Sequence, residues 1–186
     1  MKRKLYFLEL VQQRKSIRRY LKKPVEREKI LTCIEAARLA PSAHNVQPWR
    51  YLIIDDPELA ANFSREAFSG IYSISKFASN APVLILLLAR LDILANKLGK
   101  QVQNIQFYLL DMGIAGEHIV LQAEELGLGT CWIGWFNTRK ARKILKIPRK
   151  YKIVSILSMG YYKKKPSRER KRKELDEIAW FNKIGE

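Results

Sequence analysis

The chain has 186 residues, of which 47% are hydrophobic, and this is enough to bury the core of one domain of ordinary size. Lysine and arginine outnumber aspartate and glutamate by 35 to 18, so the formal net charge is +17. This balance favours either an anionic partner, such as a phosphate-bearing cofactor, a nucleic acid or an acidic membrane surface, or a solvated basic surface. The two cysteines, Cys33 and Cys131, match no zinc or redox spacing and argue against a disulfide framework. We expect a single domain over residues 1–186.

Export and membrane segments are not expected in this sequence. The apolar stretch near its start is short and is interrupted by Glu9, Gln12 and Gln13, which argues against a signal peptide. The longest apolar run, residues 81–89, is too short to cross a bilayer. The sequence therefore predicts a cytoplasmic protein without a membrane partner.

Helix and strand patterns fill the first half of the chain. Apolar spacing predicts an opening helix that ends in an arginine-rich turn, a second helix that Pro41 closes, and a strand of β-branched and aromatic residues after a loop. These elements are expected at residues 6–13, 24–39 and 50–54, with a further helix at 58–66. Residues 68–79 have no clear period, and we expect them to form a mobile loop.

The second half places a buried strand before the longest predicted helix. Residues 82–88 are apolar on both faces, which indicates a strand between two helical layers. An apolar face then persists over residues 104–126, and Gly127 supplies the left-handed cap that ends a helix. Further strands are expected at residues 130–135 and 151–159, and helices at 138–145 and 174–181. Helices before, between and after the strands predict a layered α+β domain.

A dense basic cluster follows the first helix. It consists of Arg14, Lys15, Ser16, Arg18 and Arg19, within six positions. Guanidinium groups form paired, charge-assisted hydrogen bonds with phosphate oxygens, and a serine hydroxyl can complete such an anion site. A solvated basic turn would have the same composition, so these residues alone leave both interpretations open.

A loop framed by two prolines lies directly before the first predicted strand. Pro41 and Pro48 each fix a backbone angle and stiffen it. Between them Ser42, Asn45 and Gln47 offer hydroxyl and amide groups that suit the polar edge of a flat heterocycle such as flavin. An ordinary turn with local side-chain hydrogen bonds is the alternative.

In order and spacing, these segments resemble the nitroreductase family of FMN enzymes. That family carries an Arg-x-Ser-x-Arg-like motif and a Pro-Ser-x-x-Asn-x-Gln-Pro-Trp loop, which match residues 14–18 and 41–49. Residues 113–134 are similar to the family's central helix and the turn after it. Gly160 and Tyr161, with the arginine-rich tail that follows, form a fourth match. The resemblance therefore extends over nearly the whole chain.

The resemblance implies a layered α+β fold with a central, mainly antiparallel sheet flanked by helices. It also implies a homodimer, with the long central helix in the interface and two FMN molecules contacted by both subunits. The implied phosphate and ribityl contacts are Arg14, Lys15, Ser16 and Arg18, with Arg170 or Arg172 as the distal phosphate ligand. The implied ring and ribityl contacts, usually from the second subunit, are Pro41, Ser42, Ala43 and Asn45, to which Gln47 of the same loop is added. Ile133 and Gly134 match the backbone segment beside flavin N5.

The activity implied by the resemblance is electron transfer from NADH or NADPH to a small acceptor such as a nitroaromatic or a quinone. FMN would take hydride at N5 and would carry the chemistry, so no catalytic side chain is expected. Another flavin reaction on the same scaffold, dehalogenation or ene reduction, stays open. A nucleic-acid-binding module is favoured only by the net charge and the basic run at residues 163–173, and no nucleic-acid motif supports it.

The histidines and Cys131 have simple interpretations. His44 and His118 are the only histidines, and no acidic cluster accompanies them to complete a metal site. We therefore expect no metal. Cys131 is expected to be a small buried hydrophobic group.

The substrate pocket is the least determined part of the sequence. Trp132 and Trp135 are expected to pack against the fold rather than to stack on a substrate, and Lys76 is a weak candidate for contact with flavin or substrate. Residues 89–103 are too few for the helical excursion that covers the substrate in larger members of the family. No substrate-binding residue is therefore assigned.

Overall fold

An antiparallel sheet organises the part of the chain that the structure, a computed structural model, describes: residues 6–91, 105–167 and 170–185. Its strands are β1 (Trp49–Ile54), β2 (Val83–Arg90), β3 (Gly129–Ile133) and β4 (Tyr151–Gly160). They lie in the order β1-β2-β4-β3, and each neighbouring pair is antiparallel. The mainly antiparallel sheet and the α+β class are thereby confirmed.

Helices alternate with these strands along the chain. The α-helices of the described residues are α1 (Tyr6–Gln13), α2 (Arg27–Arg38), α3 (Pro57–Ala67), α4 (Phe107–Glu125) and α5 (Thr138–Ile144). Asp56 caps α3 by accepting the Leu59 N–H at 2.7 Å, and Asn137 caps α5 by accepting the Lys140 N–H at 3.0 Å. Short 3-10 helices occupy Ala43–Asn45, Gly70–Asn80 and Leu175–Glu177.

Strand β2 is buried on both faces, as its unbroken apolar run predicts. Alternate side chains point to opposite sides of a strand. Val83, Ile85 and Leu87 therefore pack in a core that includes residues of α2 and α4, whereas Leu84 and Leu86 pack in a second core with α3 and α5. The sheet thus lies between two helical layers.

Two expectations from the sequence are wrong. The segment expected to be an irregular loop forms the 3-10 helix Gly70–Asn80, whose three-residue turns do not give the apolar period of an α-helix. The helix expected at residues 174–181 is reduced to the single turn Leu175–Glu177, because no buried residue anchors it. The short segment expected over residues 89–103 falls mostly outside the described residues.

Helix α4 approaches the sheet closely at Gly116. A Cβ atom at this position would overlap the Trp132 ring and would lie 2.9 Å from Leu87 Cδ2. At Gly113, one turn earlier, a Cβ would meet no atom within 4 Å. Gly116 is therefore required by packing, and Gly113 is not required by the fold of one chain.

We expect Gly116→Ala to lower the free energy of unfolding by about 1–3 kcal/mol, because the added methyl group forces Trp132 or the helix to move. Gly113→Ala on the same helix is the control, and should be neutral or stabilising by up to about 1 kcal/mol through its better helix propensity. Urea unfolding followed by circular dichroism measures both. Equal effects of the two substitutions would contradict the packing argument.

Candidate functional site

The arginine-rich segment after α1 lies beside the edge strand β3. Ser16 forms a parallel bridge with Thr130, and the Ile17 N–H donates to the Thr130 carbonyl at 2.8 Å. The Ile17 side chain is buried. Because neighbouring residues of an extended segment point to opposite sides, Ser16 and Arg18 face away from this anchor.

The tail after β4 returns to the same place. Arg170 Nη2 donates to Ser16 Oγ at 3.4 Å, and Lys15 Nζ donates to the Pro166 carbonyl at 2.9 Å. The two segments enclose a cavity of about 460 Å³. Its lining residues are Lys15, Ser16, Arg18, Pro166, Arg170, Lys171 and Arg172. We call this cavity the arginine cavity.

Positive charge accumulates at the arginine cavity. The pKa of Arg170 is lowered by burial and by repulsion from the guanidinium groups of Arg14, Arg172 and Arg18, in that order. Arg14 also lies 3.7 Å from Glu117 of α4, measured from Nε to Oε1. A bound anion would relieve the repulsion, and guanidinium groups bind phosphate through paired hydrogen bonds. The residues therefore fit a phosphate group.

Cys131 of β3 lies close to this charge. The thiol is buried, and burial raises its pKa despite the nearby Arg18, Arg170 and Arg14, which act in the opposite direction. The thiol is therefore held in its neutral form, as expected for a small buried group. Reactive cysteines need the thiolate, which this environment disfavours.

The proline-framed loop before β1 holds an uncommon backbone conformation. His44, Asn45 and Gln47 have φ values of 49°, 53° and 46°, in the left-handed region that residues other than glycine rarely adopt. Local bonds support it: the Gln47 N–H donates to Ser42 Oγ at 3.0 Å, and Gln47 Nε2 donates to Asn45 Oδ1 at 3.0 Å. Backbone strain of this kind concentrates at ligand sites.

Asp111 connects this loop to α4. The Ala43 N–H donates to Asp111 Oδ1 at 3.0 Å, and Asp111 is only 3% exposed. Its second oxygen, Oδ2, is buried and has no hydrogen-bond partner among the described residues. Burial raises the pKa of this carboxyl, although the bond from Ala43 acts to lower it. No pattern in the sequence singles out Asp111.

The 3-10 helix Gly70–Asn80 joins the site from the other side of the sheet edge. Ser75 Oγ donates to the Trp135 carbonyl at 2.6 Å, and Trp135 Nε1 donates to the Ile71 carbonyl at 2.9 Å. The Arg18 guanidinium lies 5.5 Å above the Phe77 ring. Lys76, exposed between Ser75 and Phe77, is thus carried on a segment fixed to both Arg18 and Trp135.

Both tryptophans pack only in part. Trp132 is 36% exposed and donates from Nε1 to Glu117 Oε2 at 3.3 Å, and Trp135 is 55% exposed with its ring 5.4 Å from that of Tyr72. Ile133, which lies between them in the sequence, is buried. At the next residue, Gly134, an added Cβ atom would meet no atom within 4 Å, so the space beside its backbone is open.

The site residues expected from the sequence fall into three groups, one of which is Ile133 and Gly134 at the end of β3. Lys15, Ser16, Arg18, Arg170 and Arg172 share the arginine cavity, and Arg14 lies beside it. The loop residues 41–47 are attached to α4 at Asp111, and no described cavity or hydrogen bond joins them to the first group. Glu117, which contacts Arg14, lies six positions after Asp111, a rise of about 9 Å along the helix.

His118 Nδ1 lies 3.0 Å from the Ala36 carbonyl, and no group of three or more metal-binding side chains occurs in residues 6–91, 105–167 and 170–185. Within the same ranges, every helix is too short or too polar to cross a membrane.

Comparison with known proteins agrees with the geometry. The sequence pattern of the nitroreductase family matches residues 11–161. The chain belongs to the nitroreductase family. The resemblance drawn from the motifs is thereby confirmed, and with it the expectation of an oxidoreductase.

Three similar proteins illustrate the range of similarity. The NADH dehydrogenase of Thermus thermophilus is 31% identical over an aligned length of 175 residues, and the match covers 80% of this chain and 83% of the relative. The solved structure of an FMN-dependent nitroreductase from Clostridium difficile R20291 is 30% identical with a TM-score of 0.75, covering 95% of this chain and 99% of that one. The iodotyrosine deiodinase of Thermotoga neapolitana is 24% identical over an aligned length of 173 residues, and the match covers 82% of this chain and 87% of the relative.

Inorganic pyrophosphate should stabilise the flavin-free protein, because it relieves the repulsion in the arginine cavity. At 100 times its Kd, an anion that binds only the folded state adds about 2.7 kcal/mol to the free energy of unfolding. Thermal unfolding in pyrophosphate, compared with chloride at equal ionic strength, measures the effect. Arg170→Gln should lose most of it, and the charge-matched control Arg65→Gln on α3 should keep it. Equal responses of these two variants would argue against the cavity as the anion site.

Proposed function

We propose that this nitroreductase-family protein binds FMN and uses NADH or NADPH to reduce a small acceptor. The observation that carries the proposal is the arginine cavity, where three guanidinium groups and Ser16 line a space that suits a phosphate group, with Arg14 beside it. The FMN-dependent relative from Clostridium difficile and the NADH dehydrogenase of Thermus thermophilus support the cofactor and the electron donor. When bound, FMN supplies the redox chemistry between the nicotinamide and the acceptor.

The phosphate end of FMN would be held in the arginine cavity. Ser16 and Arg170 already share a hydrogen bond there, so both polar groups are aimed at the same space. Of the two tail arginines that the sequence left open, Arg170 has the contact with Ser16, and Arg172 contributes charge from the cavity wall. Lys15, Arg14 and Arg18 complete the positive surroundings.

The ring end would be held by the proline-framed loop and by Ile133 and Gly134. The stiff left-handed backbone presents Ser42, Asn45 and Gln47 as hydrogen-bonding groups that need little reorganisation on binding. The open space at Gly134 allows a flat ring to approach the backbone. Lys76 would add positive charge, which stabilises a reduced, anionic ring. No side chain is assigned as a catalytic acid or base.

A homodimer would bring the loop of one subunit to the arginine cavity of the other. The apolar residues Leu109, Leu110 and Ile114 on one face of α4 are 44%, 57% and 41% exposed, and Tyr6 and Phe7 of α1 are about as accessible or more so. Contiguous exposed apolar surface of this kind marks a protein interface. Because the loop is attached to α4 through Asp111, pairing of two α4 helices would place it near the boundary between the subunits.

The acceptor is proposed as a nitroaromatic or a quinone. The relative from Thermotoga neapolitana, an iodotyrosine deiodinase, favours reductive dehalogenation as the second candidate. A nucleic-acid-binding role is less favoured, because several residues of the basic run have contacts within the fold. Lys165 contacts Glu124 and the Gln13 carbonyl, and Arg170 and Arg172 line the arginine cavity.

Purified protein should be yellow, or should become yellow on addition of FMN, and its visible flavin absorbance should bleach with NADH or NADPH under anaerobic conditions. Reoxidation by a nitroaromatic, a quinone or iodotyrosine then separates the candidate reactions. Arg14→Ala and Ser16→Ala should each weaken FMN binding by about tenfold, the usual effect of losing one charge-assisted hydrogen bond. Arg65→Ala is the control.

A colourless protein that FMN cannot reconstitute would refute the proposed function. Unchanged FMN affinity in both Arg14→Ala and Ser16→Ala would refute the assignment of the arginine cavity to the phosphate, while leaving flavin binding itself intact.

Leu110→Glu should shift the protein from dimer to monomer, because it places a charge in the exposed apolar face of α4. Leu31→Glu on α2 changes a leucine of similar exposure, 61% against 57%, and should leave the dimer unchanged. Size-exclusion chromatography with light scattering measures the mass of each variant. A wild-type monomer, or equal masses for the two variants, would argue against this interface.

A further inference from the structure

The carboxyl group of Asp111 lies where the proline-framed loop meets α4. Its Oδ1 accepts the Ala43 N–H at 3.0 Å, and the side chain is 3% exposed. Ala43 begins the 3-10 turn Ala43–Asn45, which contains two of the left-handed residues. The bond therefore acts at the start of the strained part of the loop.

None of the other hydrogen bonds that the structure shows for residues 41–48 joins the loop to α4. The bonds from Gln47 to Ser42 and to Asn45 lie within the loop and set only its internal shape. The Arg90 N–H donates to the Pro48 carbonyl at 2.8 Å, which attaches the far end of the loop to the sheet. Asp111 supplies the corresponding attachment at the near end.

Stability alone does not account for a carboxyl group at this position. Oδ2 is buried and has no partner among the described residues, and an unsatisfied buried oxygen destabilises a fold. An apolar side chain at this position would not carry that penalty. A group that is unfavourable for the fold and still bonded to a strained loop points to a role in binding.

We propose that Asp111 is a positioning residue for the FMN-binding loop: by accepting the Ala43 N–H, it holds residues 42–45 in the conformation that receives the flavin. The inference rests on the proposed FMN binding and does not place Asp111 in contact with FMN. Without the bond, residues 42–45 would lose their hydrogen bond to α4 and would have to become ordered when FMN binds, which weakens affinity without disrupting the cores.

Two substitutions and one matched control test the role. Asp111→Leu removes the acceptor, whereas Asp111→Asn keeps a carbonyl oxygen that can accept the Ala43 N–H. Ser64→Ala on α3 is the control, because Ser64 Oγ is also buried and without a partner but lies in the other core. For each protein we would measure the Kd of FMN by fluorescence quenching, and hydrogen exchange over residues 41–48 and over β2 in the flavin-free state.

Asp111→Leu should weaken FMN binding by about tenfold and should speed exchange over residues 41–48 much more than over β2, the buried centre of the sheet. Asp111→Asn should restore both the affinity and the slow exchange. Ser64→Ala should leave affinity and exchange unchanged. Substitution of a residue that serves only the fold would speed exchange over the loop and over β2 alike.

The outcomes separate the two proposals. If the wild type does not bind FMN, the proposed function fails. If the wild type binds FMN, and Asp111→Leu binds it equally well or exchanges equally slowly over the loop, the positioning role alone is overturned. Failure of Asp111→Asn to restore affinity would also overturn it, because the proposed role needs only the acceptor.

Discussion

The hydrogen bond from the Ile17 N–H to the Thr130 carbonyl is the contact on which the candidate site depends. It aligns the arginine-rich segment with the edge of β3, and the buried Ile17 side chain secures it. The position is available because Gly129 has no side chain: a Cβ there would lie 2.7 Å from Ile17 Cβ. Burial of Ile17 thus places its neighbours Ser16 and Arg18 in one wall of the arginine cavity.

The sequence predicts best those elements whose own residues determine them. The two-sided burial of β2 follows from an uninterrupted apolar run, and α4 follows from an apolar face kept over several turns. The 3-10 helix Gly70–Asn80 could not be predicted in this way. Its stabilising bonds come from Trp135, and the bond from Ser75 spans 60 positions. Local periodicity contains no information about such a partner.

The candidate site also contains residues that the local sequence predicts and residues that only the folded chain identifies. The basic cluster and the proline-framed loop are contiguous in sequence, so their chemistry is visible before folding. The choice between Arg170 and Arg172 is not, because it depends on which side chain reaches Ser16 across the fold. Asp111 was missed for another reason. A lone acidic residue in a long helix is usually solvated, and only the placement of α4 against the loop buries it.

The arginine cavity is assembled from two distant parts of the chain. Ser16 and Arg170 are 154 positions apart, whereas both hydrophobic cores are complete by residue 161. During synthesis the sheet and its helical layers can therefore form before the tail emerges, and the cavity closes afterwards. Contacts of such high sequence separation form late in folding because a long loop must close first. A chain interrupted after β4 would keep its core and lose one wall of the arginine cavity, so the proposed FMN binding would distinguish molecules that include the tail from well-folded fragments that lack it.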